Sequence, residues 1–109
     1  MSGQLPYVMA NKARQDILDI EFRSIKEWGR VRAARYLKDI HKKCVSICSF
    51  PDIGHKMEDI PSSIRSIISE SHVIFYEIYR SEVHALRILH KNMDFTNDEL
   101  FAMSSAQIA

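Results

Sequence analysis

The hydrophobic period of this chain changes once, near Pro61, from the repeat of helices to the repeat of strands. Before Pro61, apolar residues recur three and four positions apart, which is typical of helices with one buried face. After it, β-branched and aromatic residues fill three runs that only the short polar gaps SES and RSE separate. Gaps that short favour antiparallel hairpins, because parallel strands need a long crossover. The chain therefore predicts an α+β fold in which helices precede a small antiparallel β-meander.

Two helices joined at a glycine are predicted for residues 12–28 and 31–49. The expected buried positions are Ala13, Ile17, Leu18, Ile25 and Trp28 in the first helix, and Ala33, Leu37, Ile40, Cys44 and Ile47 in the second. Asn11 is a favourable N-cap residue for the first helix, and Gly29 is a natural stop. Since only about two residues separate the two patterns, the helices should form an antiparallel αα-hairpin.

Four strands are expected around this hairpin. The segment Pro6–Ala10 predicts a first strand at an edge of the sheet, where the missing N–H of proline is tolerated. Residues 55–63 read as a polar loop, and the meander strands are predicted at 64–68, 72–79 and 83–89. Alternation places Ile74, Tyr76 and Ile78 on one face of the middle strand, and Leu86 and Ile88 on the same face as His84 in the last strand.

Both faces of the predicted sheet are apolar, and one helical hairpin covers only one of them. The second face therefore needs another cover, either the chain's own tail or a partner. The tail offers a capping box, Thr96 followed by Glu99, which predicts a short helix over 97–103 before the end frays. We therefore expect one domain over residues 1–95, and a short C-terminal helix with a frayed tail over 96–109.

Composition narrows the class of protein. The chain has 109 residues, 46% of them hydrophobic, and a net charge of +1, so strong direct binding to nucleic acid is not expected. No apolar run approaches the roughly 20 residues of a membrane helix, and the N-terminus does not read as a signal peptide. We expect a cytoplasmic protein that does not bind membranes. Cys44 and Cys48, four apart in a helix, are expected to be buried thiols rather than a disulfide or a metal site.

Three stretches of the chain share a resemblance to one known family. EWGRVRAARYLKDI, through Trp28, Gly29, Ala33 and Tyr36, resembles the helix–helix turn of the ParE toxin family. FPDIGHKMEDIPSSIRS resembles its Pro…Gly loop and the following strand arginine through Pro51, Gly54 and Arg65. SHVIFYEIYRSEVHALRILHKNMD resembles its C-terminal hairpin through the runs 72–76 and 87–90 and the closing Met93 and Asp94. The resemblance covers residues 6–95, and the three stretches follow one another in the family's order.

This resemblance implies a toxin of a type II toxin–antitoxin system, within the wider RelE/ParE superfamily. It implies a helical hairpin packed on a small antiparallel sheet, and a ParD-like antitoxin as the partner. In the ParE branch the expected target is DNA gyrase, which would be inhibited by protein–protein binding. The alternative is the RelE branch, whose members cleave mRNA on the ribosome without a metal ion. No cofactor and no metal are expected in either case.

The nuclease alternative requires a base, an acid and cations that converge on one phosphate. Arg87 and His90 lie three residues apart on a strand, so they should point to opposite faces of the sheet. Whether Arg65 and Arg87 share a face depends on a register that the sequence does not reveal. The structural interpretation is that Arg87 pairs with Glu77 or Asp94 and that His90 caps the end of its strand. We therefore predict no catalytic residues.

Two sets of contact residues are predicted instead. The target or partner contacts are Arg65, Arg87, His90 and Asp94. The antitoxin groove, in which an amphipathic helix would lie, is expected at Leu18, Phe22, Ile25, Tyr36 and Tyr76. Trp28 is expected in the core, where its indole would cover the helical hairpin. The basic side of the second helix is interpreted as a solvated face.

Overall fold

A computed structural model describes residues 4–58 and 63–93 and the single positions 96, 99 and 102. The described elements are, in chain order, β1 (Tyr7–Met9), α1 (Asn11–Trp28), α2 (Arg30–Ser49), β2 (His55–Lys56), β3 (Arg65–Ser69), β4 (His72–Tyr79) and β5 (Glu82–His90). The strands form one sheet in the order β1-β5-β4-β3-β2, in which β1 runs parallel to β5 and the other neighbours are antiparallel. The predicted α+β fold, the edge position of β1 and the meander are confirmed. The short strand β2 was missed, because its two polar residues carry no strand period.

A single glycine separates the two helices. Gly29 has φ +88°, a backbone conformation that residues with a Cβ atom rarely adopt. Its N–H bonds the Ile25 carbonyl at 2.9 Å, and its own carbonyl accepts the Ala33 N–H at 3.1 Å, so it ends one helix and begins the next. The predicted αα-hairpin is confirmed. The predicted cap at Asn11 is wrong, because Ala10 holds the N-cap position and Asn11 already lies in the helix.

The helix-covered face of the sheet holds the larger core. From the helices it contains Ile20, Ile40, Cys44, Ile47 and Cys48, and from the sheet Ile74, Tyr76, Val83 and Ile88. The predicted buried face of α2 is confirmed, but that of α1 is partly wrong. The buried stripe of α1 is Ala13, Asp16, Ile20 and Ser24, whereas Leu18 is 57% exposed. Because two of these residues are polar, a prediction based on apolar positions alone gave α1 the wrong rotation about its own axis.

A β-bulge at Leu86 reverses the expected side-chain pattern of β5. Phe75 pairs with Arg87 and Tyr76 with Ala85, which leaves Leu86 as one extra residue between two opposed pairs. As a result, Ile88 packs in the helix-covered core and Leu86 in a second cluster on the other face. The expectation that Leu86 and Ile88 share a face is therefore wrong. A bulge changes the alternation without leaving a mark on the hydrophobic pattern of either half of the strand.

The second face of the sheet carries its own buried cluster. Its members are Ile64, Phe75, Leu86 and Leu89, each at most 4% exposed, with Met57 and Val73 at its margin. Glu99 and Ala102, which are both helical, line a cavity with Leu86 and Arg87, so these two positions of the tail lie beside this face. The Glu99 N–H bonds Thr96 Oγ1 at 3.1 Å, which confirms the predicted cap. The rest of the predicted helix, the tail from 103 and Asp94 lie outside the described residues.

Candidate functional site

An ion pair joins β5 to α1. Arg87 donates through Nε to one carboxylate oxygen of Asp16 at 2.7 Å, and through Nη2 to the other at 2.9 Å. The Ile88 N–H donates to Asp16 as well, at 2.9 Å. The Asp16 side chain is 10% exposed and that of Arg87 22%, so both charges are largely removed from water. The carboxylate raises the pKa of Arg87 above its ordinary value, through its hydrogen bond before any other cause.

Asp16 lies beside the part of β5 that no longer pairs with β1. β1 pairs with β5 only along Val83, His84 and Ala85, and the chain then turns directly into α1. The next part of the β5 edge would therefore expose a backbone donor, and Asp16, in the second turn of α1, accepts the Ile88 N–H there. Arg87 pairs with Asp16, which was not among its expected partners Glu77 and Asp94; Asp94 lies outside the described residues. That pairing depends on how the helix docks, which the sequence does not indicate.

Arg65 and His90, two other predicted target contacts, lie apart from Arg87. Arg65 donates to the Gly54 carbonyl at 2.9 Å and lies 3.5 Å from the Asp52 carboxylate, so it braces the loop after α2. His90 accepts the Asn92 N–H through Nδ1 at 3.1 Å, which confirms that it caps the end of its strand. Arg65 pairs with Tyr76 and Arg87 with the neighbouring Phe75, so alternation directs the two arginines to opposite faces.

A chain of four aromatic rings lines a cavity of about 410 Å³ between α1, the start of α2 and one end of the sheet. The ring centroids are 5.5 Å apart from Trp28 to Tyr36, 5.5 Å from Tyr36 to His72 and 5.3 Å from His72 to His90. We call this cavity the ring pocket. Trp28 is 36% exposed rather than buried, so its predicted place in the core is wrong. Its indole instead forms one end of the ring pocket.

Hydrogen bonds orient the rings of this pocket. Tyr36 Oη accepts the Ser71 N–H at 3.1 Å and lies 2.6 Å from His72 Nδ1. Burial lowers the pKa of His72, and His90 lowers it further, so the imidazole is neutral near neutral pH. Its Nδ1 therefore accepts a hydrogen bond from the Tyr36 hydroxyl. Burial raises the pKa of Tyr36, which keeps that proton in place. The remaining imidazole proton of His72 then lies on Nε2.

The charged side chains of the ring pocket come from α1. The charge of Asp16 is compensated by Arg87. Asp19, Arg23 and Glu27 lie four residues apart from one another along one stripe of the helix. Two carboxylates and one guanidinium leave this rim with one net negative charge. A phosphate would be repelled by such a rim, whereas a cation would be attracted. Within the described part of the chain, no group of three or more His, Cys, Asp or Glu residues is arranged to hold a metal ion.

Sequence comparisons place the chain in one family, and a solved structure shares its fold. A family model described as "ParE toxin of type II toxin-antitoxin system, parDE" matches residues 7–95. The chain belongs to the ParE toxin family. Toxin ParE1 of Caulobacter vibrioides is 32% identical over 89 residues, which cover 82% of this chain and 92% of that protein. A solved structure of the chromosomal ParDE TA system from P. aeruginosa has a TM-score of 0.67 at 19% identity, and covers 82% of this chain and 98% of that one.

Membership in the ParE family makes this chain the toxin of a type II toxin–antitoxin module, and the module implies an antitoxin partner. The resemblance that the sequence indicated is therefore confirmed, and the fold agrees with that of the solved ParDE chain. No helix in the described part of the ParE chain is long and apolar enough to span a membrane.

The predicted antitoxin groove of this ParE chain is only partly accessible. Leu18 and Phe22 are 57% and 65% exposed, one helical turn apart on α1, and Lys26 Nζ lies 5.3 Å from the Phe22 ring centroid. Ile25 is half-buried beside them. Tyr76 is fully buried, so its proposed place in the groove is wrong.

Tyr76 belongs to the core because its hydroxyl is needed inside the protein. It donates to the Pro51 carbonyl at 2.7 Å and accepts the Gly54 N–H at 2.9 Å. A Cβ atom on Gly54 would lie 2.6 Å from that hydroxyl, so only glycine permits the approach. The Pro…Gly segment of the ParE resemblance is therefore a docking site for a buried tyrosine.

Two residues of the site escaped the sequence reasoning. Asp16 carried one usable signal, because Ala13, Asp16, Ile20 and Ser24 recur at helical spacing and place a carboxylate on the buried stripe. No sequence signal indicated the role of His72, because its position opposite His90 depends on the register between β4 and β5.

Proposed function

We propose that this ParE-family toxin acts in the bacterial cytoplasm by binding DNA gyrase, and that a ParD-like antitoxin neutralises it. The observation that carries the proposal is that Arg87 donates hydrogen bonds to both carboxylate oxygens of Asp16. This pairing uses two of the five N–H donors of the guanidinium, fixes its orientation and compensates its charge, which makes Arg87 a poorer ligand for a phosphate. The pairing therefore supports a toxin that acts by presenting a surface over one that cleaves RNA.

The electrostatics of the ring pocket support the same proposal. His72 and His90 are acid–base candidates in the pocket. Among the described residues that line it, Arg23 is the one lysine or arginine, and it lies between the carboxylates of Asp19 and Glu27 along α1. A phosphodiester approaching these histidines would meet a rim of net negative charge. Metal-free RNA cleavage needs several cations around the phosphate. The described residues therefore favour protein binding over the mRNA interferase alternative.

The exposed apolar stripe of α1 supports an antitoxin that binds as an amphipathic segment. Leu18 and Phe22 present two large apolar side chains to solvent on one side of the helix. Burying such side chains against a partner is favourable, and an amphipathic helix provides apolar residues at the matching spacing. We propose that the antitoxin covers this stripe.

Supercoiling by purified DNA gyrase tests the target directly. Micromolar toxin should inhibit supercoiling or stabilise cleaved DNA, and prior mixing with excess antitoxin should restore activity. A translating extract with a reporter mRNA, assayed in parallel, should show intact message. Normal supercoiling without cleaved DNA would contradict the gyrase proposal. Codon-position cleavage of the mRNA in the extract would support the interferase alternative instead.

A further inference from the structure

The ring pocket combines two features that together recognise cations. Its wall is a continuous series of rings, Trp28, Tyr36, His72 and His90, with neighbouring centroids 5.3–5.5 Å apart. Its rim bears the carboxylates of Asp19 and Glu27. Ring faces attract cations through their negative quadrupole, and carboxylates add a formal charge. The combination selects for a positively charged group with a flat or apolar body.

The carboxylates of the rim are available to a ligand. Asp19 and Glu27 are both exposed, and neither forms an ion pair within the described part of the chain. The third carboxylate of the ring pocket, Asp16, is already saturated by Arg87 and the Ile88 N–H. An incoming cation would therefore meet two free carboxylates. Among the described residues, the competing cations are Arg23, which lines the pocket, and Arg32, whose guanidinium lies over the Trp28 ring.

The surroundings of Trp28 favour a guanidinium over an ammonium group. Arg32, on the next helix, already places its guanidinium carbon 4.7 Å from the Trp28 ring centroid. The indole thus already holds a planar cation over its ring, and Tyr36, whose ring centroid lies 5.5 Å from that of Trp28, is a second ring of the type that attracts cations. Guanidinium is planar and weakly hydrated and can bond a carboxylate with two N–H groups at once, which ammonium cannot do.

We propose that the ring pocket receives an arginine side chain from the antitoxin. This inference rests on the antitoxin complex proposed above and names the side chain that anchors it. The pocket opens beside the same helix that exposes Leu18 and Phe22, and Asp19 directly follows Leu18 in the chain. An antitoxin segment that covers the apolar stripe of α1 reaches the ring pocket within about one further helical turn. The negative rim and the positive anchor are complementary.

The first experiment tests the chemistry of the ring pocket alone. Trp28 is the only tryptophan of the chain, so its fluorescence reports occupancy of the pocket directly. N-acetyl-arginine amide should change this fluorescence saturably, and the isosteric N-acetyl-citrulline amide should bind roughly tenfold more weakly because it carries no charge. The same response to both amides, or no response to either, overturns the proposal.

Paired variants assign that response to the rim. Asp19→Asn combined with Glu27→Gln should abolish the preference for the arginine amide, because the two free carboxylates are gone. Glu21→Gln is the matched control, since it removes one exposed carboxylate of α1 that does not line the ring pocket. All these positions are exposed, so the fold should be retained, which circular dichroism checks. An unchanged preference in the double variant overturns the assignment.

The second experiment uses the antitoxin itself. Asp19→Asn with Glu27→Gln should weaken its binding roughly three- to tenfold, whereas Glu58→Gln, which removes an exposed carboxylate outside α1, should leave the affinity unchanged. A double-mutant cycle of toxin Glu27→Gln with each antitoxin arginine changed to alanine should reveal one coupled arginine. If the wild-type toxin fails to bind, the proposed complex itself is wrong. If it binds but every cycle is additive, only the ring-pocket proposal is overturned.

Discussion

Arg87 and Asp16, which lie 71 residues apart in the chain, meet in a two-point ion pair that fastens the last strand to the first helix. The same carboxylate accepts the Ile88 N–H, so one side chain satisfies a guanidinium and a strand edge together. Arg87 belongs to the stretch that closes the ParE resemblance. Its role in the described structure is to hold the helix against the sheet, and a loss of toxicity on mutation therefore has to be separated from a loss of folding.

Replacement of Asp16 by alanine should destabilise the fold. It leaves a largely buried guanidinium without its counter-charge and a strand N–H without its acceptor, which together cost about 3–5 kcal/mol. Urea unfolding followed by circular dichroism measures this change. Asp16→Ala combined with Arg87→Met should cost less than the sum of the single changes, because the second substitution removes the orphaned charge. A loss below about 1 kcal/mol for Asp16→Ala would contradict a structural role for the pair.

The single hydroxyl group of Tyr76 should contribute measurably to the free energy of unfolding. Tyr76→Phe removes the acceptor of the buried Gly54 N–H and the donor to Pro51, which should cost about 1–3 kcal/mol. Tyr79→Phe is a suitable control, because the contacts of Tyr79 with Arg80 and His84 are made through its ring. Thermal unfolding of both variants makes the comparison. Equal losses in the two would show that the Tyr76 hydroxyl does not hold the loop.

Gly54→Ala tests the same contact from the opposite side. The new Cβ atom would lie 2.7 Å from Tyr76 Cε1 and 2.9 Å from the Ser66 carbonyl oxygen, which is backbone and cannot rotate away. Overpacking of this kind costs about 1–3 kcal/mol, and in the Tyr76→Phe background part of the clash disappears. The loss caused by Gly54→Ala should therefore be smaller in that background. An identical loss in both backgrounds would mean that the Tyr76 hydroxyl does not cause the clash, and would point to the ring carbon and the Ser66 carbonyl, which both backgrounds retain.

Much of the fold follows from periodicity, and the exceptions have physical causes. The change from a helical to a strand period predicted the hairpin and the meander, because each element presents one apolar face to a common core. The bulge at Leu86 could not be predicted, since one inserted residue leaves the local pattern of each half intact. The rotational error in α1 arose because Asp16 and Ser24, which are polar, lie on its buried side.

The candidate site was less predictable than the fold. The separation of Arg87 from His90 followed from strand alternation alone, and the register confirms it. The ring pocket did not follow, because its rings come from α1, α2, β4 and β5 and meet only when all four elements have docked. A histidine on a strand carries no sequence signal of the ring that it will face. Composition and spacing describe elements, whereas this pocket is a property of their packing.

His72 should make the fold less stable in mild acid. Burial and the neighbouring His90 lower its pKa below the ordinary 6.5, although Asp16 opposes this effect. The unfolded chain then takes up a proton near pH 6.5 that the folded chain accepts only at lower pH, so stability falls as the pH drops through this window. His72→Gln removes this proton uptake. The loss of stability between about pH 7.5 and pH 5.5 should be smaller in the variant than in the wild type.

The two cysteines should be inert in the folded protein. Both are free thiols at 2% exposure, as their helical spacing predicted. Burial raises the pKa of Cys44 to about 11 and also raises the pKa of Cys48, so few molecules carry the reactive thiolate at pH 8. An aromatic disulfide reagent should label both cysteines in urea and neither in buffer over the same period. Rapid labelling of the native protein would mean that α2 opens locally.

The exposed stripe of α1 should serve binding without contributing to stability. Leu18→Ser with Phe22→Ser replaces side chains that are 57% and 65% exposed, so the free energy of unfolding should change by less than about 1 kcal/mol. Antitoxin affinity should fall at least roughly tenfold if both side chains anchor the complex, as large buried apolar contacts at interfaces do. Val31→Ser is the matched control, because Val31 is 79% exposed at the start of α2, outside the stripe.

Calorimetric titration of each variant with the antitoxin measures the affinities, and induction of the toxin with and without the antitoxin tests neutralisation in cells. A double variant that still arrests growth but is no longer rescued would locate the antitoxin on α1, whereas full rescue with unchanged affinity would place it elsewhere.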